Sequence, residues 1–266
     1  MPQDGDERQL PGFDASVPSP ARMWNYWIGG KDNFKADREA GERVLEVMPT
    51  LLTIARMSRQ FLIDVVHDLA AERGIRQFLD IGTGLPTADN THDVAQRVAP
   101  AARIVYADYD PVVLAHATAL LTSSPEGKTD YIQADVRDTD TILSAAKRTL
   151  DFGIPVAVML IEVMHFVPDS DEPHDVVRRL IEPLPSGSYL VLAHAASDIA
   201  ADSMAAGAER YNERASADIT PRDRGQVTRF FDGLEMIGPG LVPLAQWWGT
   251  DGDRGLQAYC GVGKKP

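Results

Sequence analysis

Three aspartates occupy positions from which carboxylates can grip a nucleoside. Asp80 lies in QFLDIGTGLPT, just ahead of Gly82, Thr83 and Gly84. Asp108 lies in YADYDP, 24 residues after Gly84. Asp135 lies in YIQADVRD. Two glycines one residue apart let the backbone pass close to a ligand. An acid about 20 residues beyond such a turn reaches ribose hydroxyls in a nucleotide-binding βαβ unit. A second group, Glu162 and His165 in IEVMHF, offers proton-accepting chemistry, because imidazole ordinarily titrates near neutral pH.

The glycine turn admits two ligand classes. A dinucleotide site wants GxGxxG or GxGxxA, so that a helix N-terminus can approach a pyrophosphate. Here the sixth position is Thr87, preceded by Pro86, and Asp80 would repel a pyrophosphate. S-adenosylmethionine carries no phosphate and presents an ammonium, a sulfonium, a ribose diol and an adenine. Asp80 can hold the ammonium and Asp108 both ribose hydroxyls. Asp135 can accept the adenine amino group while the Val136 amide faces a ring nitrogen. The chemistry therefore favours S-adenosylmethionine over NAD. The plainer reading is a tight strand-to-helix turn, with Asp135 capping a turn of its own.

Other groups join these. The segment 24–34 is rich in aromatics and precedes the regular pattern. It reads as a lid, with Tyr26 and Trp27 shielding the cofactor and Gly29-Gly30 as hinge. Lys31 or Arg22 would then meet the cofactor carboxylate. The same aromatics also serve as a staple holding an N-terminal helix on the sheet. Arg56 and Arg59 lie one helical turn apart, facing either the ligand or solvent. Glu162 and His165 follow the fourth strand, where the methyl would sit. His165 reads as a general base or, more plainly, as a strand-end cap. An aligned in-line methyl transfer does not require a base. His194 ends the fifth strand as a second-rank candidate. The helix around Tyr211 is positioned to cover an acceptor, and Trp247, Trp248 and Tyr259 read as sheet packing.

The elements that position these residues follow from periodicity. Helices are expected over 37–48 and 50–73, after a short one opening at Ser19-Pro20. Strands over 77–81, 103–107, 130–133, 155–163 and 189–194 alternate with helices over 89–98, 111–121, 139–150 and 172–184. This is the pattern of a doubly wound parallel sheet, which binds ligands at the carboxyl ends of its strands. A helix over 198–217 and another from 220 to about 231 follow. Strands over 241–248 and 256–262, joined by TDGDRG, read as an antiparallel hairpin. The expected organisation is a disordered tail over 1–18, a helical lid over 19–74 and a Rossmann-like core over 75–266, the last two forming one unit.

Bulk composition narrows the function. A net charge of −13 argues against nucleic acid as partner. One cysteine, Cys260, forms no internal disulfide and no Cys-pair metal site, so no metal is expected and a reducing cytoplasm is. No secretory leader is read at the N-terminus, and no apolar run approaches the roughly 18 residues of a membrane span.

DIGTGLPT, YADYDPVVLAHA and YIQADVRD resemble the first three motifs of class I S-adenosylmethionine-dependent methyltransferases. More narrowly, PSPARMWNYWIGGKDNF, QFLDIGTGLPT, AVMLIEVMHFVPD, GSYLVLAH, RFFDGLEMIGPGLVPLAQW and GVGKKP resemble an actinobacterial family of S-adenosyl methyltransferases, over roughly 18–266. The resemblance implies a Rossmann-like fold with a mostly parallel seven-stranded sheet, a C-terminal antiparallel hairpin and added N-terminal helices. It implies cofactor contacts at Asp80, Gly82, Gly84, Asp108 and Asp135. Three positions depart from the family pattern: Tyr109, whose ring can stack near the adenine, Ser58 and Glu162. The expected function is methyl transfer to a small-molecule acceptor. The alternatives are a sensor that binds S-adenosylmethionine without transfer, and an NAD-dependent oxidoreductase.

Overall fold

The computed structural model describes residues 14–120, 122–249 and 255–266. Most of the expected tail (1–13), Leu121 at the end of one expected helix, and most of the TDGDRG connection (250–254) lie outside the described residues. Seven strands form one sheet in the order β3-β2-β1-β4-β5-β7-β6. They are β1 (Gln77–Ile81), β2 (Arg103–Asp108), β3 (Lys128–Gln133), β4 (Ala157–Ile161), β5 (Tyr189–Ala195), β6 (Glu235–Pro243) and β7 (Ala258–Lys264). β1 to β5 are parallel, and β7 runs antiparallel to both neighbours. The strand order reverses between β1 and β4, which puts the switch point between them.

Burial on both faces explains the continuous apolar strands. Side chains alternate in direction along each strand. Phe78, Ile104, Tyr106, Met159 and Val191 pack one way, against α3 (Leu51–Ala71) and α4 (Thr91–Val98). Leu79, Val105, Val158, Leu160 and Leu190 pack the other way, against α6 (Thr139–Ala146) and α7 (Pro173–Ile181). α5 (Pro111–Leu120) opens with Pro111, whose missing N–H costs nothing in a first turn.

The end of the chain differs from the sequence reading. β6 begins at Glu235, six residues before the expected strand, and stops at Pro243. Gly238 and Gly240, both at positive φ (61° and 81°), shift the register between Ile237 and Val242, which hides the alternation. Trp247 and Trp248 are not in a strand. A 3₁₀ turn, Leu244–Gln246, turns Trp247 onto Phe61 of α3, with ring centroids 4.8 Å apart. The helix expected from Thr220 begins only at Arg224 (α9, Arg224–Thr228). The segment before it is extended, pairing Arg222 with Ala196. Asp223 then caps α9 by accepting from the Gln226 N–H at 2.8 Å. The helix expected over 198–217 shortens to α8 (Ala201–Asn212), whose Asn212 side chain accepts from the Ile219 N–H.

The N-terminal helices are joined by buried polar contacts. α1 (Pro20–Trp27) and α2 (Lys35–Leu45) meet at Asp37, which is fully buried. Its carboxylate accepts from Arg22 Nε at 3.0 and 3.1 Å, from the Ser19 N–H at 3.0 Å and from the Phe34 N–H at 2.8 Å. Asn25 Oδ1 accepts from the Asp32 N–H and from Asn33 Nδ2. A Cβ on Gly30 would stand 2.3 Å from Asn25 Nδ2, so close packing explains that glycine. Removing Asp37 would take the carboxylate away from a buried guanidinium and two backbone donors. Asp37→Ala is therefore expected to destabilise the fold by about 3–5 kcal/mol, measured by urea unfolding. A loss below about 1 kcal/mol would show that this joint is dispensable.

Candidate functional site

The carboxyl ends of β1, β2 and β4 open into one cavity, roofed by α1, α3 and α8. It encloses about 1250 Å³ of empty space, part of it open to solvent. Asp80, Gly82, Thr83, Gly84, Asp108 and Tyr109 line one part, and Glu162 and His165 line another. The glycine turn follows directly from β1. The Gly82 N–H continues the ladder by donating to the Ala107 carbonyl at 2.8 Å. Gly82 has a φ of 71°, and a Cβ there would come 2.4 Å from Val163 Cγ2. Gly84 has a φ of 66°, and a Cβ there would meet nothing within 4 Å. The first glycine is thus demanded by packing, while the second leaves room on the cavity side.

Asp108 holds that turn in place. Its Oδ2 accepts from the Gly84 N–H at 2.9 Å and its Oδ1 from the Asp110 N–H at 2.9 Å. Asp110 in turn accepts from Ser19 Oγ at 2.6 Å, which ties the start of α1 to the end of β2. Asp80 Oδ2 accepts from Thr91 Oγ1 at 2.6 Å, in the first turn of α4. Burial pushes both carboxyls up to about 6, against the hydrogen bonds and, for Asp80, the nearby Arg59 cation. Two buried carboxylates of raised pKa facing one cavity want positive or hydrogen-bond-donating company.

Glu162 adopts a left-handed backbone (φ 56°), uncommon for a residue with a side chain. Its N–H donates to the Ala193 carbonyl at 2.9 Å, and its Oε1 accepts from Ser58 Oγ at 2.8 Å. Burial pushes its carboxyl up to about 7. His165 Nδ1 lies 3.6 Å from Glu162 Oε2, too far for a hydrogen bond, and has no hydrogen-bond partner among the described residues. Burial, then the neighbouring His194 and Arg222, push the imidazole well below its usual range, so it stays neutral.

Arg222, absent from the sequence reading, fixes this corner. It is fully buried. Nη1 donates to the Met164 carbonyl at 3.0 Å and Nη2 to the Val167 carbonyl at 2.7 Å, bracketing the 3₁₀ turn Met164–Phe166 that carries His165. Nη1 also lies 3.0 Å from His194 Nε2. An arginine can only donate, so His194 Nε2 accepts and its Nδ1 donates to the Ala195 carbonyl at 2.8 Å. His194 is therefore a neutral structural link. A lone arginine in an extended, polar stretch gave no sequence signal for this role.

Several expected site residues stand elsewhere. Arg22 is consumed by Asp37 and by the Val17 carbonyl, and does not line the cavity. Gly30 packs on Asn25, Lys31 is exposed, and the Tyr26 hydroxyl bonds Glu42; none of the three lines the cavity. Both Asp135 oxygens are held by the Arg137 side chain at 2.7 and 2.8 Å, and Val136 packs in the core. Arg56 is exposed, whereas Arg59 lines the cavity and donates to the Ala88 carbonyl at 2.9 Å. Trp24, Trp27 and Tyr211 do line it.

An S-adenosyl methyltransferase family model matches residues 6–266. A DUF574-family protein from Streptomyces avermitilis is 41% identical, with a TM-score of 0.90, over 95% of this chain and 99% of that one. A candidate methyltransferase from Thermobifida fusca is 36% identical, with a TM-score of 0.86, over 96% and 97% of the two chains. No curated protein matches the sequence. Seven strands in this order, a glycine turn between two buried carboxylates and a family match over nearly the whole length converge: the chain belongs to the S-adenosyl methyltransferase family.

Proposed function

We propose that this S-adenosylmethionine-dependent methyltransferase acts on a small-molecule acceptor bound inside the cavity. The glycine-turn part would hold the cofactor, and the part beneath α1 and α8 the acceptor. The observation that carries this reading is the pair of buried carboxylates, Asp80 and Asp108, flanking a glycine turn whose second residue faces open space. The chain's residues fit the cofactor. Beyond its backbone bonds from Gly84, Asp110 and Tyr109, the Asp108 carboxylate keeps lone-pair capacity to accept a ribose hydroxyl. Asp80 complements an ammonium, and the Gly84 backbone leaves room for the amino-acid moiety. Tyr109 stands at the partly exposed edge, where its ring can flank a base. Arg59 is the lining cation placed to meet a carboxylate. Asp135, Val136, Tyr26, Gly30 and Lys31, as placed, lie outside this contact set.

Bound S-adenosylmethionine supplies a methyl group activated by a sulfonium. The chain's own contribution is then alignment and proton acceptance. Apolar walls exclude water and keep the acceptor in one pose. Glu162 and neutral His165 are placed to take the proton that an acceptor oxygen or nitrogen must lose. Access through a cavity mouth on a protein of net charge −13 favours a small molecule over nucleic acid. No described helix is long and apolar enough to cross a membrane, and Cys260 is buried and free, in keeping with a cytoplasmic setting.

Asp108→Asn converts a carboxylate that accepts at both oxygens into an amide that accepts at one. S-adenosylhomocysteine binding, followed by calorimetry, is expected to weaken by about 1.5–3 kcal/mol. Unchanged affinity would move the cofactor elsewhere. Glu162→Gln addresses the other part of the cavity. The native carboxyl sits at about 7, above the 4.5 of an ordinary glutamate, so the folded state binds the extra proton. Stability from this group is present at low pH and is lost as pH rises between those values. Relative to wild type, Glu162→Gln should therefore gain roughly 1–3 kcal/mol of stability between about pH 4.5 and pH 8, read from thermal unfolding. A pH-independent difference would mean that Glu162 is not held protonated.

A further inference from the structure

The part of the cavity away from the glycine turn has a definite chemistry. Its wall is a run of aromatic rings. Trp24 and Trp27 of α1 lie edge to face at 6.2 Å. Trp27 lies 6.3 Å from Tyr211 of α8, and Tyr211 lies 6.2 Å from Phe166. Met48, Leu51 and Met204 line the same cavity. α8 presents Gly207 to this space, and a Cβ there would come 2.8 Å from Met48 Sδ. Flat rings bordered by flexible thioethers suit a flat apolar guest.

Charge narrows the guest further. Among the described lining residues the carboxylates are Asp80, Asp108 and Glu162, and the cation is Arg59. Arg59 donates to the Ala88 carbonyl beside the glycine turn, and Asp80 is its strongest charge neighbour. A carboxylate, sulfonate or phosphate on the guest would thus enter an apolar chamber beside Glu162 with no cation to meet it. Burying an unpaired charge is costly.

Three buried polar atoms on lining residues lack a hydrogen-bond partner among the described residues: Arg59 Nε beside the glycine turn, and two in the part away from it. Those two are Tyr211 Oη and His165 Nδ1. Native proteins seldom leave such atoms unsatisfied, and a functional site is one standard reason when they do. A hydroxyl group both donates and accepts, so it can serve an imidazole nitrogen and a phenol alike. An ammonium only donates.

We infer that the acceptor is an uncharged, flat aromatic molecule bearing a hydroxyl group, seated among Trp24, Trp27, Phe166 and Tyr211 with that hydroxyl turned toward Glu162 and His165. This assignment rests on the cofactor occupying the glycine-turn part of the cavity, as proposed above. Aromatic character and lack of charge come from the walls, and the hydroxyl comes from the unpartnered atoms.

Four probes of one shape separate the terms. Calorimetry on the full chain, saturated with S-adenosylhomocysteine, would compare 2-naphthol with 2-methoxynaphthalene, 2-naphthoate and 2-naphthylmethylamine. 2-Naphthol is expected to bind at least about tenfold more tightly than each of the others. Tyr211→Phe is expected to weaken 2-naphthol severalfold without lowering the melting temperature, because its hydroxyl has no partner to lose in the free protein. Equal or tighter binding of the naphthoate or of the amine overturns the uncharged-hydroxyl class. Equal binding of the methoxy compound removes the need for a proton donor. Binding of S-adenosylhomocysteine with none of the four probes overturns the flat aromatic guest and leaves the cofactor reading intact. Failure of S-adenosylhomocysteine itself to bind sinks the cofactor reading, and the acceptor class with it.

Discussion

A single buried carboxylate sets the geometry on which the rest depends. Asp108 ends β2 and reaches across to the turn that follows β1, accepting from the Gly84 and Asp110 N–H groups at 2.9 Å each. The glycine turn is left-handed at both glycines and would otherwise be free to choose other conformations. A charge-assisted bond from the Gly84 N–H to Asp108 holds it in one. Through Asp110 and Ser19 the same end of β2 anchors α1, and α1 roofs the cavity. The carboxylate that suits a ribose is therefore also the group that assembles its own surroundings.

The second constraint is that charge is scarce where the chemistry would occur. Glu162 is buried and accepts from the Ser58 hydroxyl, and His165 is held neutral. Burial holds His165 neutral and raises Glu162 to about 7, so Glu162 changes charge near neutral pH. Arg222 provides the rigidity without entering the cavity, because its donors end on the Met164 and Val167 carbonyls and on Asp169. A fully buried guanidinium bracketing a three-residue turn is a stiff mount for the imidazole that the turn carries. Tyr211, His165 and Glu162 are then polar points of a mostly apolar chamber that Ser58 and Gln257 also line.

The N-terminal segment shows how one composition can serve two readings. Its aromatics do line the cavity, as a lid would require, through Trp24 and Trp27. Its glycines and polar residues do something else. Gly30 makes room for Asn25, Asn25 accepts from residues 32 and 33, and Arg22 is buried against Asp37. A run such as GGKDNF reads from sequence as a hinge with a free cation. In the fold, Asp32 and Asn33 close the corner between α1 and α2 through Asn25, while Lys31 is exposed.

By itself the sequence determined the alternation of buried strands and helices, the glycine turn, and the acids at the ends of β1 and β2. Those features are local, since apolar periodicity, glycine spacing and strand-end acids reflect forces acting over a few residues. Tertiary structure alone decided which polar side chains stay available. Arg22 was paired with Asp37 of the next helix, and Arg222 was recruited to a turn more than fifty residues earlier. It also decided where β6 begins, because the Gly238-Pro239-Gly240 bulge finds its register only against β7. The physical reason is common to all of these. A buried charge or an unpaired strand must find a partner, and which partner lies within reach depends on how distant parts of the chain pack.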